Sequence, residues 1–318
     1  MTRAPGSVAR VRMVTADETA RLLPFDALVA ALRAGFVEGA EAPLRHQHRI
    51  GAPEADATLL LMPAWSAHYV GVKLVNVFPH NGAAGLPAVN PAYVLSSATT
   101  GAALAVVDGA ELTRRRTAAA SALAAAYLAR RDARRLLVVG AGKVAEVLPA
   151  AYRAVRPIER VDVWNRTPAR ADALVESLRA DGFAAERVAD LETAVAAADV
   201  VSCATLASEP VVRGRWLGPG THLDLIGSFA PHLRETDDDA LRRATVFVDT
   251  HDALEESGDL LAPMASGAFA AGDVAGTLYD LARGRHQGRT SDDEVTLFKS
   301  VGTALEDLAA AALVYESL

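Results

Sequence analysis

Along the chain the spacing of apolar positions changes twice, and the changes mark three stretches of different architecture. Phe25, Leu28, Val29, Leu32 and Phe36 recur at helical intervals, which predicts an amphipathic helix over 24–38 with Pro24 in its first turn. The period then shortens. Segments 57–62, 69–78, 91–96 and 103–107 are short apolar or alternating runs, punctuated by His80-Asn81-Gly82 and Gly85-Leu86-Pro87. With no helix between them, these strands are expected to pair antiparallel. A long helix rich in Ala and Leu follows over about 110–130. From there strands at 135–139, 160–164, 199–203, 222–226 and 245–249 alternate with helical segments such as 168–180 and 191–198. Such alternation means a parallel sheet with right-handed crossovers. Thr167 suits a helix cap and Pro168 the first helical position. The tail, 294–316, reads as helical and free to return to the first stretch.

Composition narrows the classes open to such a chain. Its 318 residues, 51% hydrophobic and 22% charged, are enough for two packed domains and argue against disorder. A net charge of −7 argues against nucleic acid as a partner, because phosphate binding needs a basic face. The single cysteine, Cys203, excludes an intramolecular disulfide and fits a reducing compartment. Inside Val200-Val201-Ser202-Cys203-Ala204 it reads as a small core residue and not as a nucleophile. The N-terminal segment lacks the apolar stretch of a signal peptide, and the Ala-rich helices are broken by Arg and Asp, so a cytoplasmic chain without membrane attachment is expected. Asp237-Asp238-Asp239 opens a helix, where acids act as caps, and His222 and His232 lack zinc spacing. No metal is expected.

The chemistry begins at the first parallel strand. Leu136-Leu137-Val138-Val139 runs into Gly140-Ala141-Gly142-Lys143-Val144-Ala145, a GxGxxA pattern between a strand and an expected helix. Gly140 permits the tight turn, Gly142 lets a pyrophosphate approach the backbone, and Ala145 keeps helix and strand close. The phosphates would rest on the helix N-terminus. The next strand ends in Asn165-Arg166-Thr167. An NAD site usually carries Asp or Glu there for the ribose 2′-hydroxyl, whereas Asn165 removes that charge and Arg166 and Thr167 offer donors to a 2′-phosphate. NADPH is therefore favoured over NADH. The fold class is α/β: a Rossmann-type parallel sheet domain at 123–291, and a discontinuous α+β domain with an antiparallel sheet at 1–122 and 292–318. The antiparallel sheet, with one face left over, offers a dimerisation surface.

Several ordered blocks carry a resemblance. They are Leu61-Met62-Pro63, Gly71-Val72-Lys73 leading to Asn81, Leu112-Thr113 with Arg116-Thr117-Ala118-Ala119, Gly140-Ala141-Gly142, Gly220-Thr221-His222 to Gly227 with Pro231 and Glu235, and Phe298-Lys299-Ser300-Val301-Gly302. Together they resemble the ornithine cyclodeaminase/mu-crystallin family from about residue 40 almost to the end. The resemblance implies a homodimer and a small amino or imino acid held by its carboxylate on Arg45, Lys73 and Arg116. Lys73 and Arg116 become the candidate catalytic pair, and Thr205 and Gly227 join the cofactor-binding set. A guanidinium fork grips a carboxylate bidentately and a lysine adds a point charge, so the chemistry agrees.

Two departures from the family change the expected reaction. Its cyclodeaminases carry an aspartate two residues after the glycine of the 220s strand, and here that position is Phe229. A family glutamate also gives way to Leu60. Phenylalanine can neither accept a proton nor pair with an ammonium. The Gly-Ser-Phe-x-Pro-x-x-x-Glu pattern, with Glu256-Ser257-Gly258-Asp259-Leu260, resembles the reductase branch, which converts Δ1-pyrroline-2-carboxylate and Δ1-piperideine-2-carboxylate to L-proline and L-pipecolate. Phe229 would then wall the methylene ring. Three alternatives stay open: a cyclodeaminase using NAD, an alanine-dehydrogenase-like enzyme, and a dinucleotide-binding protein of the crystallin type without essential turnover.

Overall fold

A computed structural model describes residues 10–52 and 56–318. The first nine residues, part of the segment read as carrying no signal peptide, lie outside the described residues. Two compact units emerge. One comprises the described residues up to Ala31, Glu38–Arg116 and Ala304–Leu318; the other comprises Leu32–Val37 and Thr117–Thr303.

The first unit is built on a six-stranded mixed sheet. Its strands are β1 (Arg12–Val14), β2 (His46–Ile50), β3 (Ala57–Trp65), β4 (Tyr69–Val77), β5 (Val89–Ser97) and β6 (Ala103–Asp108), in the order β1-β6-β5-β4-β3-β2. Strands β2 to β6 pair antiparallel, and β1 adds a parallel edge on β6. Because side chains alternate faces along a strand, the register puts Val14, Val107, Tyr93, Lys73 and Met62 in one row across the sheet. All five are buried, on the face covered by the C-terminal helix Ala304–Glu316. The opposite face carries Leu61, Pro63, Val72, Leu74, Val94 and Val106, all half-buried, and Met13, which is 69% exposed.

The second unit is an eight-stranded sheet, parallel throughout. It contains β7 (Arg135–Val139), β8 (Arg160–Trp164), β9 (Ala184–Arg187), β10 (Val200–Cys203), β11 (His222–Leu225), β12 (Thr245–Val248), β13 (Val274–Thr277) and β14 (Thr296–Lys299). Their order is β13-β12-β14-β11-β10-β7-β8-β9, so chain order reverses between β7 and β10. In such sheets that reversal opens a crevice at the strands' carboxyl ends. Leu137, Val139, Val201, Cys203, Leu223, Leu225, Val246, Val248 and Leu297 form one buried cluster. Each such side chain contributes roughly 1.5–3 kcal/mol when fully buried. Cys203 is fully buried, and burial pushes its thiol well above the ordinary range, as a core residue requires.

The tail departs from expectation. Residues 296–299 are not helical; they form β14, inserted between β11 and β12. A four-residue run this apolar cannot be told from a helix turn by periodicity alone, and only the final stretch, Ala304–Glu316, is helix. Among the described residues no helix is long and apolar enough to cross a membrane.

One buried acid pins this second unit. Asp224, on β11, accepts from Ser121 Oγ at 3.0 Å, Tyr152 Oη at 2.8 Å and Ser202 Oγ at 2.5 Å. Burial pushes its pKa from 3.8 up to about 6, although the three hydroxyls pull it back. A folded-state value above the unfolded one means the stabilisation is present below about pH 3.8 and is lost as pH rises to about 6. The stability advantage of the native chain over Asp224→Asn should therefore shrink across that window and stay level above it. Denaturant titrations at a series of pH values check this; an advantage that grows with pH would contradict it.

Candidate active site

In the first unit, the cations expected to hold a carboxylate lie within a buried cluster of mixed charge. Lys73 points from β4 into the covered face, and Arg116 lies on the helix Gly109–Leu128. They are 3% and 6% exposed. Lys73 Nζ is 2.7 Å from Asp307 Oδ2, Arg116 Nε donates to Asp307 Oδ1 at 3.0 Å, and Arg116 Nη1 donates to Glu306 Oε2 at 2.5 Å. Burial lowers the Lys73 pKa; Asp307 opposes that and Arg116 reinforces it. Two cations and two carboxylates thus balance one another.

Tyr93 neighbours Lys73 across β4 and β5. Its Oη is buried with no hydrogen-bond partner among the described residues, and burial, with Asp307 nearby, pushes its pKa well up. Gly71 makes room for it, since a Cβ there would lie 1.9 Å from Tyr93 Oη. Arg45 sits just before β2, half-buried; with His46 paired to Leu61 and Leu61 to Leu74, it lies two strands from Lys73. Leu60 shares the Lys73 face of β3.

Sequence reasoning gave neither Glu306 nor Asp307 a role. The available signal was two adjacent acids in an otherwise apolar helix, Ala304-Leu305-Glu306-Asp307-Leu308-Ala309-Ala310. Buried acids are rare unless paired.

In the second unit, the GxGxxA turn lies at the carboxyl end of β7, beside the reversal point. Gly140 has φ 116°, and a Cβ there would sit 2.5 Å from the Ala204 carbonyl oxygen, so only glycine fits. Gly142 is different: a Cβ there would meet nothing within 4 Å. No neighbour among the described residues demands glycine at that point, which suits a backbone approached closely by a phosphate group. Ala145 is fully buried, whereas Lys143 is exposed and pairs with Glu146 at 2.9 Å; Val144 lies between them, half-buried.

Two local expectations are corrected here. Residues 142–147 form an irregular turn, with Glu146 N bonded to Gly142 O at 3.2 Å, and the regular helix begins only at Leu148. Pro149 lacks the N–H that a helix begun at Gly142 would need, and proline prefers the first helical turn. Thr167 occupies the cap position of the helix Pro168–Ala180, but its side chain makes no capping bond. Instead Asn165 Nδ2 donates to Thr167 O at 2.9 Å, with Arg166 and Thr167 exposed.

The ends of β10 and β11 are tied by a residue that the sequence offered only as part of a pattern. Glu235 Oε1 accepts from Thr205 N at 2.7 Å and Thr205 Oγ1 at 2.8 Å, and its Oε2 accepts from Gly227 N at 2.7 Å. A Cβ on Gly227 would lie 1.8 Å from Thr205 O and 2.6 Å from Glu235 Oε1. Burial pushes the Glu235 pKa to about 7; Lys299 pulls it down and Asp259 pushes it up. Asp259 Oδ1 accepts from Glu235 N at 2.8 Å and Thr236 N at 3.0 Å, and Lys299 Nζ donates to Leu225 O at 2.9 Å. The Ser257-Gly258-Asp259 segment is thereby explained as a brace for this loop. Phe229, just beyond Gly227, is 50% exposed and so is not a core residue.

The parallel sheet, its order reversal and the glycine turn at the reversal define a Rossmann-type dinucleotide-binding fold joined to an α+β unit. The model of the ornithine cyclodeaminase/mu-crystallin family matches residues 10–318, and the chain belongs to that family. It is 45% identical over 303 residues to the Delta(1)-pyrroline-2-carboxylate reductase of Paracoccus denitrificans, covering 94% of each chain. The Thermococcus litoralis Delta(1)-pyrroline-2-carboxylate reductase, solved with NADH and L-proline, superposes with a TM-score of 0.89 at 33% identity, over 96% of this chain and 97% of that one. An archaeal alanine dehydrogenase dimer with bound NAD superposes with a TM-score of 0.88 at 31% identity, over 96% of this chain and 95% of that one.

Proposed function

We propose that this chain is a reductase of small cyclic imino acids, converting Δ1-pyrroline-2-carboxylate or Δ1-piperideine-2-carboxylate to L-proline or L-pipecolate with NADPH. The observation that carries this reading is the balanced cluster of Lys73, Arg116, Glu306 and Asp307. A protonated cyclic imino acid is a zwitterion. Its carboxylate suits the Lys73 ammonium and the Arg116 guanidinium, with Arg45 as a third cation, and its iminium is stabilised by the negative charge of Glu306 and Asp307. The similarity to the Paracoccus denitrificans and Thermococcus litoralis reductases supports the same substrate class.

A bound reduced dinucleotide supplies the hydride to C2 of the imine. Gly140, Ala141, Gly142, Lys143, Val144 and Ala145 would cradle its pyrophosphate, and Thr205 and Gly227 would flank its reactive end. The remaining work is orientation and exclusion of water, and a protonated imine needs no protein nucleophile. Phe229, exposed and apolar, walls the ring methylenes in place of a proton-accepting carboxylate. Steady-state assays with both imines and both reduced dinucleotides, alongside ammonia release from L-ornithine with NAD, test the reading. Imine turnover without ammonia supports it, and ammonia with proline from ornithine overturns it.

Asn165, Arg166 and Thr167 support the choice of NADPH. Arg166→Ala should lower the preference for NADPH over NADH by roughly 10-fold, the worth of one exposed charge-assisted contact of about 1.4 kcal/mol. Equal loss toward both dinucleotides would remove Arg166 from the 2′-phosphate site. The archaeal alanine dehydrogenase supports a second reading, reductive amination of an acyclic keto acid, which pyruvate with ammonia as substrates distinguishes. We also place the chain in the cytoplasm as a homodimer, paired through the apolar sheet face that carries Val72, Val94, Val106 and Met13; light scattering reads the mass.

A further inference from the structure

We infer that the second unit holds a separate site for a small multivalent anion, at the end of its sheet opposite the glycine turn. A cavity of about 500 Å³ opens there, lined by Arg130, Arg131, Arg156 and Arg289, with Asp132 and Asp292 as its acids. Arg130 and Arg131 precede β7, Arg156 precedes β8, and Arg289 precedes β14, so the cavity faces the amino ends of these strands. The size lies within the range of small-molecule sites. Four guanidinium groups converging on one cavity do not follow from overall charge, which is −7.

The surplus of positive charge can be followed bond by bond. Arg130 is paired with Asp199 and lies 3.5 Å from Asp132. Arg156 donates to the carbonyls of Ala126 and Ala129, each at 2.9 Å, and of Val155 at 2.7 Å, and its Nε is buried without a partner among the described residues. Arg289 donates to Leu128 O at 2.6 Å, Gly220 O at 3.1 Å and Thr296 Oγ1 at 3.2 Å, and also to the carbonyls of Ser291 and Glu294. Neither guanidinium donates to a carboxylate among the described residues, although Glu294 and Asp292 face Arg289. Glu294 spends its side chain on Thr245 and Thr290, and Asp199 also takes the Arg134 and Arg135 amides.

The Glu294 and Asp292 carboxylates offset the charge of Arg289, whereas the charged groups facing Arg156 are Arg131 and Arg289, with the carboxyl end of the helix Gly109–Leu128, worth about half an elementary charge, against it. Arg156 against that half charge leaves a net positive wall, and exposed Arg131, which forms no ion pair among the described residues, adds to it. Like charges so held favour a ligand bearing at least two negative charges, as phosphate or as carboxylates. The carbonyl bonds of Arg156 fix its fork in place before any ligand arrives, which removes much of the ordering cost of binding.

The test is calorimetric titration of the full chain with inorganic phosphate and with citrate, at constant ionic strength set by sodium chloride, first without and then with saturating NADP+. Saturable binding of either anion is expected, about 10-fold weaker in Arg131→Glu, a change of about 1.4 kcal/mol. Arg131→Gln, which leaves an exposed neutral side chain, should fall between. Tighter phosphate than citrate identifies a phosphorylated ligand, and the reverse a polycarboxylate. Absence of saturable binding, loss of binding when NADP+ is added, or equal affinity in Arg131→Glu would overturn the proposal.

Discussion

Arg116→Gln is expected to lower kcat/KM for a cyclic imino acid by roughly 30- to 4,000-fold, the kinetic equivalent of removing one member of a buried, hydrogen-bonded charge pair at about 2–5 kcal/mol. The range is wide because Arg116 has two duties. It would grip the substrate, and it also holds Glu306 and Asp307, which are buried at 0% exposure each. Taking the guanidinium away leaves uncompensated buried carboxylates, so the thermal midpoint should fall as well. The double variant Arg116→Gln with Glu306→Gln separates these duties. It should regain much of the stability and none of the catalytic efficiency, as followed by calorimetry and initial rates. Recovery of both together would reduce Arg116 to a structural ion pair.

The second large effect is expected where β10 and β11 end. Gly227→Ala forces a methyl group onto the Thr205 carbonyl, 1.8 Å away, and against Glu235. Relief requires the Thr205 loop to move, a strain of about 1–3 kcal/mol. Dinucleotide affinity should fall by roughly 5- to 150-fold. Glu235→Gln should act through the same loop, because an amide nitrogen would confront a donor now served by a carboxylate oxygen.

The pH dependence distinguishes the two variants. The Glu235 carboxyl is raised from 4.5 to about 7 by burial, with Lys299 and Asp259 as the charges facing it. Its contribution to folding stability is full below about pH 4.5 and is lost as pH rises to about 7. Dinucleotide affinity should move the opposite way, rising toward pH 7 as the carboxylate becomes able to accept from Thr205 and Gly227 together. That rise should persist in Gly227→Ala and flatten in Glu235→Gln. Fluorescence titration of the dinucleotide between pH 5 and pH 8 reads both, and an identical rise in Glu235→Gln would discard the clamp.

Much of this architecture was legible from residue patterns because local and tertiary demands agree. The helix Pro168–Ala180 begins at the expected proline, and the strands at 135–139 and 160–164 match because each is a short run with a buried middle between neighbouring strands. Where a segment's surroundings decide its state, pattern fails. Thr296-Leu297-Phe298-Lys299 is a strand only because β11 and β12 lie on either side of it. The helix after the glycine turn starts late because Pro149 outweighs the motif. Lys73 and Arg116 stood out through the family resemblance, but their partners did not. Glu306 and Asp307 are about 190 residues from Arg116 along the chain, and no short-range period reports a pair formed at that separation. Glu235 was visible only as the last letter of a pattern, and its meaning lies in three donors contributed by two other loops.

The most direct test of the imino acid reductase reading is transfer of label. The chain would be incubated with Δ1-pyrroline-2-carboxylate and NADPH deuterated at the transferable C4 position, and the proline examined by mass spectrometry and NMR. L-proline with one deuterium at C2, formed without ammonia, is the expected product. Proline lacking the label, or no proline while ornithine yields ammonia with NAD, would contradict it.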